Sequence, residues 1–226
     1  MKNLLLTNIL FIFISFIGSF TVSDATGQNG MVVSSKHEAS QVGVDILKAG
    51  GNAVDAAVGV AFALAVTHPS AGNIGGGGFM ILRLADGTTT SIDFRETAPS
   101  LSSKDMFLDD DGNVISGQSW SSSLASGVPG TVAGLGYAHE KYGSLPWDLL
   151  IRPSIVLAKY GFPLDYFNVS ILNSNKYKNY LSRDMSTKNI FTKDSSFYLN
   201  EIFIQKDLSE TLTRIANYGY KEFYVG

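Results

Sequence analysis

The segment Asp93–Pro99, with the sequence DFRETAP, contains the residue types of a carboxylate-binding site. The guanidinium group of an arginine presents parallel N–H groups that match the two oxygens of a carboxylate. Arg95 follows a β-rich run and precedes a loop, so its side chain is a candidate to bind the carboxylate of a small ligand. The alternative is an ion pair between Arg95 and Asp93 or Glu96. Taken by themselves, these residues favour the ion pair.

Four consecutive glycines, Gly75–Gly78, suggest a loop that binds the phosphates of a nucleotide. Phosphate-binding glycine loops open a helix whose first N–H groups face the anion. Here a β-rich run follows the glycines, and no Gly-Lys-Ser or Gly-Lys-Thr occurs there. We therefore predict that the glycines allow close backbone packing or a tight entry into a strand.

Asp109, Asp111 and Gly112 resemble part of a calcium-binding EF-hand loop. In that alignment Phe107 and Gln118 would occupy the first and last ligand positions, where carboxylates belong. The match fails, and the segment is predicted to be a solvated turn.

The sequence offers few candidates for a nucleophile or a metal ligand. Thr131 follows Gly127–Gly130 at a predicted helix start, but no His or Lys lies close to it in sequence, and threonine is a common helix cap. His37, His68 and His139 occur in unrelated contexts and are predicted to be structural. We therefore predict neither a catalytic nucleophile nor a metal site in this chain.

Two helices, a β-hairpin and further helices must position these residues. The hairpin is predicted from two β-rich runs around the turn Asp86-Gly87. Asn52 is expected to cap the second helix, whose apolar sequence predicts burial. A capping-box-like start at Asp207 predicts a helix that ends near Gly219. The predicted helices are 38–48, 53–66, 131–142 and 146–160, the strands are 79–84 and 88–93, and residues 168–206 are expected to be irregular.

This order of elements predicts a mixed α/β (α+β) fold, and 226 residues are enough for a substantial hydrophobic core. The chain has 17 basic and 20 acidic residues, a net charge of −3 and no Lys/Arg-rich block, which argues against nucleic acid as a partner. It contains no cysteine. Disulfides, thiolate metal ligands and a cysteine nucleophile are thereby excluded.

Residues 1–25 have the features of a secretory signal peptide. Lys2 precedes an apolar run from Leu4 to Phe20, and Ser23 and Ala25 are small residues suited to signal cleavage. The alternative is an uncleaved membrane anchor, for which a run of about 17 residues is near the lower limit. We expect export across the inner membrane to a bacterial periplasm or the exterior, with no stable anchor after cleavage.

Several motifs occur together in one order, and their combination is very specific. They are GGNAVDAA (50–57), GNIGGGGFM (72–80), DFRETAP (93–99) and LASGVPGTVAG (124–134), followed by YG (142–143), AKYGF (158–162) and FYVG (223–226). With these motifs the chain strongly resembles the N-terminal part of the large subunit of gamma-glutamyltranspeptidases, also called glutathione hydrolases. The resemblance extends from about Met31 to the last residue and weakens between about 168 and 206.

This resemblance implies an N-terminal-nucleophile hydrolase with a four-layer αββα sandwich, built jointly by the two subunits of a self-cleaved precursor. The implied nucleophile is the new N-terminal threonine of the small subunit, and its α-amine can act as the base. The γ-glutamyl group of glutathione or a related compound would pass to this threonine, then to water or to an amino acid or peptide acceptor. The resemblance implies no metal and no organic cofactor.

One position of the family's binding motif carries over to this sequence. The arginine of D-F-R-E-x-A-P binds the α-carboxylate of the γ-glutamyl group, and here it is Arg95. The resemblance therefore makes the ligand hypothesis the preferred one for this residue. The Thr-Thr-His segment that normally opens with the nucleophile does not occur in this sequence. The chain is accordingly predicted to be a fragment that holds part of the substrate pocket and is inactive by itself.

Other interpretations stay open at this point. The chain could be an inactive remnant or a γ-glutamyl-binding module without catalysis. It could also belong to a relative with glutaryl-acylase specificity, because the other half of the pocket lies outside this sequence. A nucleotide-binding protein that uses Gly75–Gly78 is a further hypothesis.

Overall fold

The computed structural model describes residues 25–225, so the predicted signal peptide lies almost wholly outside the described residues. Residues 25–31 belong to a separate unit without helix or strand, and the rest forms a second unit. No helix in the described range is both long enough and apolar enough to cross a bilayer. In chain order the elements are α1 (His37–Lys48), α2 (Ala53–Thr67), β1 (Phe79–Arg83), β2 (Thr89–Asp93), α3 (Gln118–Ser121), a 3-10 turn (Ser123–Ala125), α4 (Thr131–Tyr142), α5 (Trp147–Tyr160), β3 (Phe162–Pro163), α6 (Tyr166–Asn173), α7 (Asn175–Leu181), α8 (Met185–Phe191), β4 (Ile202–Phe203), α9 (Lys206–Tyr218) and α10 (Glu222–Val225).

Helix α2 is the centre of the helical part. It packs between α1 and α5, and α9 packs on α5. Phe62, Leu150 and Leu212, which come from α2, α5 and α9, are fully buried. Each such side chain contributes about 1.5–3 kcal/mol by leaving water. The predicted burial of the second helix is confirmed.

The start of α2 is fixed by a network of hydrogen bonds around the buried Asp55. As predicted, Asn52 caps the helix, because its side chain accepts the N–H groups of Val54 (2.8 Å) and Asp55 (3.0 Å). The Asp55 carboxylate accepts the N–H of Asn52 (2.9 Å) and both the N–H and the hydroxyl of Ser144. Burial alone would raise the pKa of Asp55, but these hydrogen bonds, led by that of the Ser144 hydroxyl, hold it below the ordinary 3.8. Asp55 thus ties α2 to the connection between α4 and α5.

The predicted hairpin is confirmed, with strands β1 and β2 slightly shorter than expected. The strands are antiparallel and pair Phe79 with Asp93 at one end and Arg83 with Thr89 at the other. Gly87 supplies the left-handed backbone that the turn requires, with φ of 87°.

The two faces of the hairpin differ in burial. Ile92 is buried, and Met80 and Leu82 pack against the core from the same side. On the opposite face Phe79 is 65% exposed and Ile81 is 84% exposed. Within the described residues the hairpin therefore packs one face against the core and leaves the other face exposed.

The predicted mixed α+β class is confirmed. The strands form two antiparallel ladders, β1 with β2 and β3 with β4, among many helices. Residues 25–225 contribute helices and a hairpin to the four-layer sandwich that the resemblance implies.

The prediction that residues 168–206 are irregular is wrong. They contain most of α6, all of α7 and α8, and strand β4. Acidic side chains start two of these helices: Asp165 accepts the N–H of Asn168 (2.7 Å) and Asp184 accepts that of Thr187 (2.8 Å). Polar residues that resembled loop residues in the sequence are therefore helix caps, and each helix is too short for a clear apolar period.

The predicted helix that ends near Gly219 is confirmed as α9, but its predicted capping box at Asp207 is wrong. Helix α9 begins at Lys206, and the preceding Gln205 makes no side-chain capping bond. The Gln205 amide instead donates to the carbonyl of Val66 at the end of α2 (2.8 Å). This tertiary contact sets where the helix begins, and Gly219, with φ of 86°, ends it as predicted.

Candidate functional site

Glycines from two other parts of the chain enclose the backbone that carries Arg95. A Cβ atom added to Gly77 would lie 2.6 Å from the carbonyl oxygen of Phe94 and 2.8 Å from the Cα of Arg95. From the other side, a Cβ on Gly130 would collide with the same carbonyl, and one on Gly134 with the Phe94 ring. Each of these positions requires glycine because a backbone or an aromatic ring occupies the space of a side chain.

Backbone hydrogen bonds close the same enclosure. Phe94 and Gly78 exchange two of them, at 3.0 and 3.3 Å, which extends the hairpin ladder by one pair. Thr97 and Val128 exchange two more, at 2.8 and 3.2 Å. An isolated antiparallel β-bridge thereby joins the DFRETAP and LASGVPG motifs, which are about thirty residues apart in sequence.

One side-chain amide connects the glycine run to helix α4. The Asn73 Oδ1 atom accepts the N–H of Gly76 (2.8 Å) and the hydroxyl of Thr131 (2.8 Å). The Gly76 carbonyl accepts the N–H groups of Gly130 (2.8 Å) and Thr131 (3.0 Å). The prediction that the glycines serve close packing is confirmed, and strand β1 rather than a helix follows them.

The Arg95 side chain is exposed and only loosely paired. Its Nε lies 3.7 Å from the Glu96 carboxylate, beyond hydrogen-bond distance, and 69% of the side chain is exposed. The Asp93 carboxylate accepts the backbone N–H of Arg95 (3.0 Å) instead. The alternative of an ion pair is therefore met only by a loose contact with Glu96. The N–H groups of the guanidinium remain available to bind the carboxylate of a ligand.

Arg95 lines an open cavity of about 530 Å³. This volume falls within the range of ordinary small-molecule sites. Serine and threonine residues line it together with apolar residues. The lining residues are 95–99, 102–103, 106–107 and 124–127.

Thr131 does not lie in this cavity as a nucleophile. It is 7% exposed, and its hydroxyl donates to Asn73. The prediction that Thr131 caps the helix is wrong, because Gly130 is the N-cap and Thr131 is the first helical residue. Its role is to bind the glycine run.

The three histidines lie apart from one another. His139 shares a hydrogen bond with the carbonyl of Leu145 (2.8 Å), which fits the structural role predicted for it. The His68 ring lies 5.4 Å from the ring of Phe167, and His37 is exposed at the start of α1. Within residues 25–225 no three metal-binding side chains come together.

The acidic segment that resembles an EF-hand is a solvated turn, as predicted. The Asp109 carboxylate accepts the N–H groups of Asp111 (3.0 Å) and Asn113 (2.8 Å). Gly112 has a φ of 80°, and all four residues are exposed. The carboxylate thus stabilises its own turn.

Sequence reasoning missed a buried lysine. Lys36 is 4% exposed, and its Nζ donates to the carboxylate of Asp165 (2.6 Å) and to Oδ1 of Asn168 (3.1 Å). Burial opposes ionisation of Asp165, but the N–H of Asn168 and the ammonium of Lys36 lower its pKa below 3.8. Burial, and secondly the charge of Lys36, lower the pKa of His68. This cluster is structural, and the sequence around Lys36 gives no signal of it.

Asn73 was also missed as a site residue. The one available signal was its place three residues before Gly76, since asparagine side chains commonly accept nearby backbone N–H groups. Its bond to Thr131 joins residues 58 positions apart and could not be predicted from local sequence.

Comparison with known proteins agrees with this geometry. The family model described as Gamma-glutamyltranspeptidase matches residues 39–226. The glutathione hydrolase proenzyme of Pseudomonas sp. (strain A14) is 50% identical over 199 residues, which is 88% of this chain and 35% of that protein. That of Escherichia coli (strain K12) is 48% identical over 204 residues, with 88% and 34% covered. The chain thus spans about a third of the length of these relatives.

The fold comparison gives the same result. The crystal structure of Helicobacter pylori gamma-glutamyltranspeptidase superposes with a TM-score of 0.85 at 42% identity, covering 90% of this chain and 58% of that one. The fold is therefore that of part of the large subunit of an N-terminal-nucleophile hydrolase. The chain belongs to the gamma-glutamyltranspeptidase family, as its motifs predicted.

Proposed function

We propose that this chain supplies the carboxylate-binding side of the donor pocket in an enzyme that transfers γ-glutamyl groups. The donor would be glutathione or a related γ-glutamyl compound, and Arg95 would bind its α-carboxylate. The observation that carries this proposal is the exposed, loosely paired guanidinium of Arg95 on the wall of the cavity. Membership of the family supports it.

In the proposed reaction a threonine hydroxyl attacks the γ-carbonyl carbon of the donor. The C–N bond of the γ-amide breaks, the hydroxyl proton passes through the α-amine to the leaving amine, and an acyl-threonine ester remains. Water or the amine of an amino acid or peptide then attacks the ester and restores the threonine. The threonine would come from the small subunit of the same precursor, and Arg95 would hold the donor in register with it.

Arg95→Ala in the complete gene product tests this assignment. A charge-assisted, bidentate contact contributes about 1.5–3 kcal/mol, which corresponds to a roughly 10- to 150-fold increase in KM for a γ-glutamyl anilide. The kcat should change little if the contact acts equally on the ground and transition states. The KM of Arg95→Lys should lie between those of Arg95→Ala and the unmodified enzyme, since lysine keeps the charge but lacks the planar fork of N–H groups.

Arg83→Ala is the matched control, because Arg83 is exposed at the far end of strand β1 on the same hairpin. It should leave KM within about twofold of the unmodified protein, as surface substitutions generally have small effects. Equal KM values for Arg95→Ala and the unmodified enzyme would refute the role of Arg95.

Arg95 does not by itself separate a γ-glutamyl from a glutaryl donor. A glutaryl group keeps the distal carboxylate and lacks only the α-amino group, so both would meet the same guanidinium. We propose the γ-glutamyl donor on the family match and the 48–50% identity to glutathione hydrolase proenzymes. Comparing kcat/KM for γ-glutamyl and glutaryl anilides would decide between them, and faster glutaryl cleavage would overturn this choice.

The alternative of an inactive remnant is tested on the same gene product. Mass measurement and N-terminal sequencing should find two polypeptides, the second beginning with threonine. A single unprocessed polypeptide that binds a γ-glutamyl compound without cleaving it would support the binding module instead.

We also propose export to a bacterial periplasm or to the exterior, on the apolar character of residues 4–20. Cell fractionation with N-terminal sequencing should find a mature protein that begins near Thr26. Recovery of Met1 at the N-terminus of a cytoplasmic protein would refute this.

A further inference from the structure

We propose that Thr131 and Asn73 form a clamp that positions Arg95 for the donor carboxylate. This inference rests on the proposed function and adds two positioning residues to it. Neither residue lines the cavity, so both would act on the donor through other residues.

The clamp begins with one shared acceptor. The Asn73 Oδ1 atom receives the Thr131 hydroxyl and the Gly76 N–H, each at 2.8 Å. The Thr131 N–H returns a bond to the Gly76 carbonyl at 3.0 Å, and the Gly130 N–H adds another at 2.8 Å. Three hydrogen bonds thus join residues 73–76 to the start of α4, and the fourth holds Asn73 to Gly76.

The backbone of Arg95 lies between the two joined parts. Gly77 contacts it from the side of the glycine run, where a Cβ would be 2.8 Å from the Arg95 Cα and 2.8 Å from the Glu96 nitrogen. Gly130 contacts the preceding carbonyl, that of Phe94, from the side of α4. If the glycine run and the start of α4 move apart, they enclose the backbone around the Arg95 Cα less tightly.

The Thr131 hydroxyl is the part of the clamp that a substitution can remove cleanly. Thr131 is 7% exposed, so valine would fill nearly the same volume without the hydrogen bond. Thr131→Ser would keep the hydroxyl. Asn73 is exposed, and Asn73→Ala therefore removes the shared acceptor without opening the core.

Thr67→Val is the matched control. Thr67 is fully buried in α2, and its hydroxyl donates only to the carbonyl of Ala63 within the same helix (2.9 Å). The control removes a buried threonine hydroxyl that has no bond to the glycine run. A loss of general stability should appear in both valine variants, whereas a change in donor binding should appear only at Thr131.

The test measures KM and kcat for a γ-glutamyl anilide in the complete gene product. We expect Thr131→Val and Asn73→Ala to raise KM roughly threefold to tenfold, as for the loss of one or two hydrogen bonds. Their kcat should stay within about twofold of the unmodified enzyme. Thr131→Ser and Thr67→Val should leave KM within about twofold.

A double-mutant cycle shows whether the effect passes through Arg95. In the Arg95→Ala background, Thr131→Val should change kcat/KM by less than about twofold, because the group that it positions is gone. An undiminished effect in that background would overturn the clamp. An unchanged KM in Thr131→Val would also overturn the clamp. If that variant does not fold, an unchanged KM in Asn73→Ala would do the same.

The two proposals fail differently. If Arg95→Ala itself leaves KM unchanged, the proposed function fails whatever Thr131→Val does. If Arg95→Ala raises KM while the clamp variants do not, the proposed function stands and only the positioning role is refuted.

Discussion

The helical part and the hairpin part of this chain differ in where their side chains lie. In the helical part Phe62, Leu150 and Leu212 are fully enclosed by helices of the same chain. In the hairpin part Ile81 is 84% exposed, and 69% of the Arg95 side chain is exposed. The contrast indicates that the helical part is stabilised by its own contacts. The hairpin part instead presents the proposed binding residue, Arg95, on a backbone that other segments of the chain enclose.

The largest expected effect belongs to the helical part. Leu150→Ala should lower the free energy of unfolding by about 3–4 kcal/mol, because it removes a fully buried side chain of α5, the helix that packs on both α2 and α9. The neighbouring Leu149 is 41% exposed, so Leu149→Ala is the matched control and should cost less than about 1 kcal/mol. Equilibrium denaturant unfolding of both variants measures the difference, and similar losses would contradict the view that the enclosed side chains stabilise the helical part.

Asp55→Asn should have the next largest effect, about 2–3 kcal/mol. The amide cannot accept all the hydrogen bonds that the buried carboxylate takes from Asn52 and Ser144. Equilibrium unfolding at pH 7 measures the loss, and Gln41→Ala, which removes an exposed side chain from α1, is a control.

The same substitution has a predictable dependence on pH. The folded pKa of Asp55 is below its ordinary 3.8, so its stabilising contribution is present above that value and is lost as the pH falls toward the folded pKa. The difference in stability between the unmodified protein and Asp55→Asn should therefore shrink between pH 5 and pH 3. A difference that stays constant over this range would exclude an ionised Asp55 as the cause.

Prediction from the sequence succeeded where local signals sufficed. The apolar run of α2 with its Asn52 cap, and the Asp86-Gly87 turn of the hairpin, are each specified by adjacent residues. It failed where tertiary contacts decide: Gln205 contacts α2 and thereby sets the start of α9, and Asp165 serves both as a helix cap and as the partner of Lys36.

The candidate site shows the same division. Arg95 could be proposed from the sequence because its motif is local and resembles that of a known family. The clamp of Asn73 and Thr131 could not be found, because no local pattern reveals a hydrogen bond between residues 58 positions apart. The glycine run was recognised as a packing element, but its contact with the Arg95 backbone became visible only in three dimensions.

Glycine substitutions should separate the two parts of the molecule by their effect on activity. Gly130→Ala would place a Cβ on the carbonyl of Phe94, which cannot move without shifting Arg95. Gly59→Ala in α2 would mainly meet the end of the Ile46 side chain, which can rotate away. We expect kcat/KM for a γ-glutamyl anilide to fall at least about tenfold in Gly130→Ala, or about 1.4 kcal/mol, and to stay within about twofold in Gly59→Ala. Equal losses would show that position 130 has no special link to the site.

The smallest expected effect is on the open face of the hairpin. Ile81→Ser in a chain of residues 26–226 should change the free energy of unfolding by less than about 0.5 kcal/mol, because the side chain is already in water. Ile92→Ser on the opposite face should cost about 2 kcal/mol or more, since Ile92 is buried. If Ile81→Ser instead costs more than about 1.5 kcal/mol in the complete gene product, the remaining polypeptide covers this face. The hairpin would then be part of a larger sheet, and the Arg95 backbone would be held from that side as well.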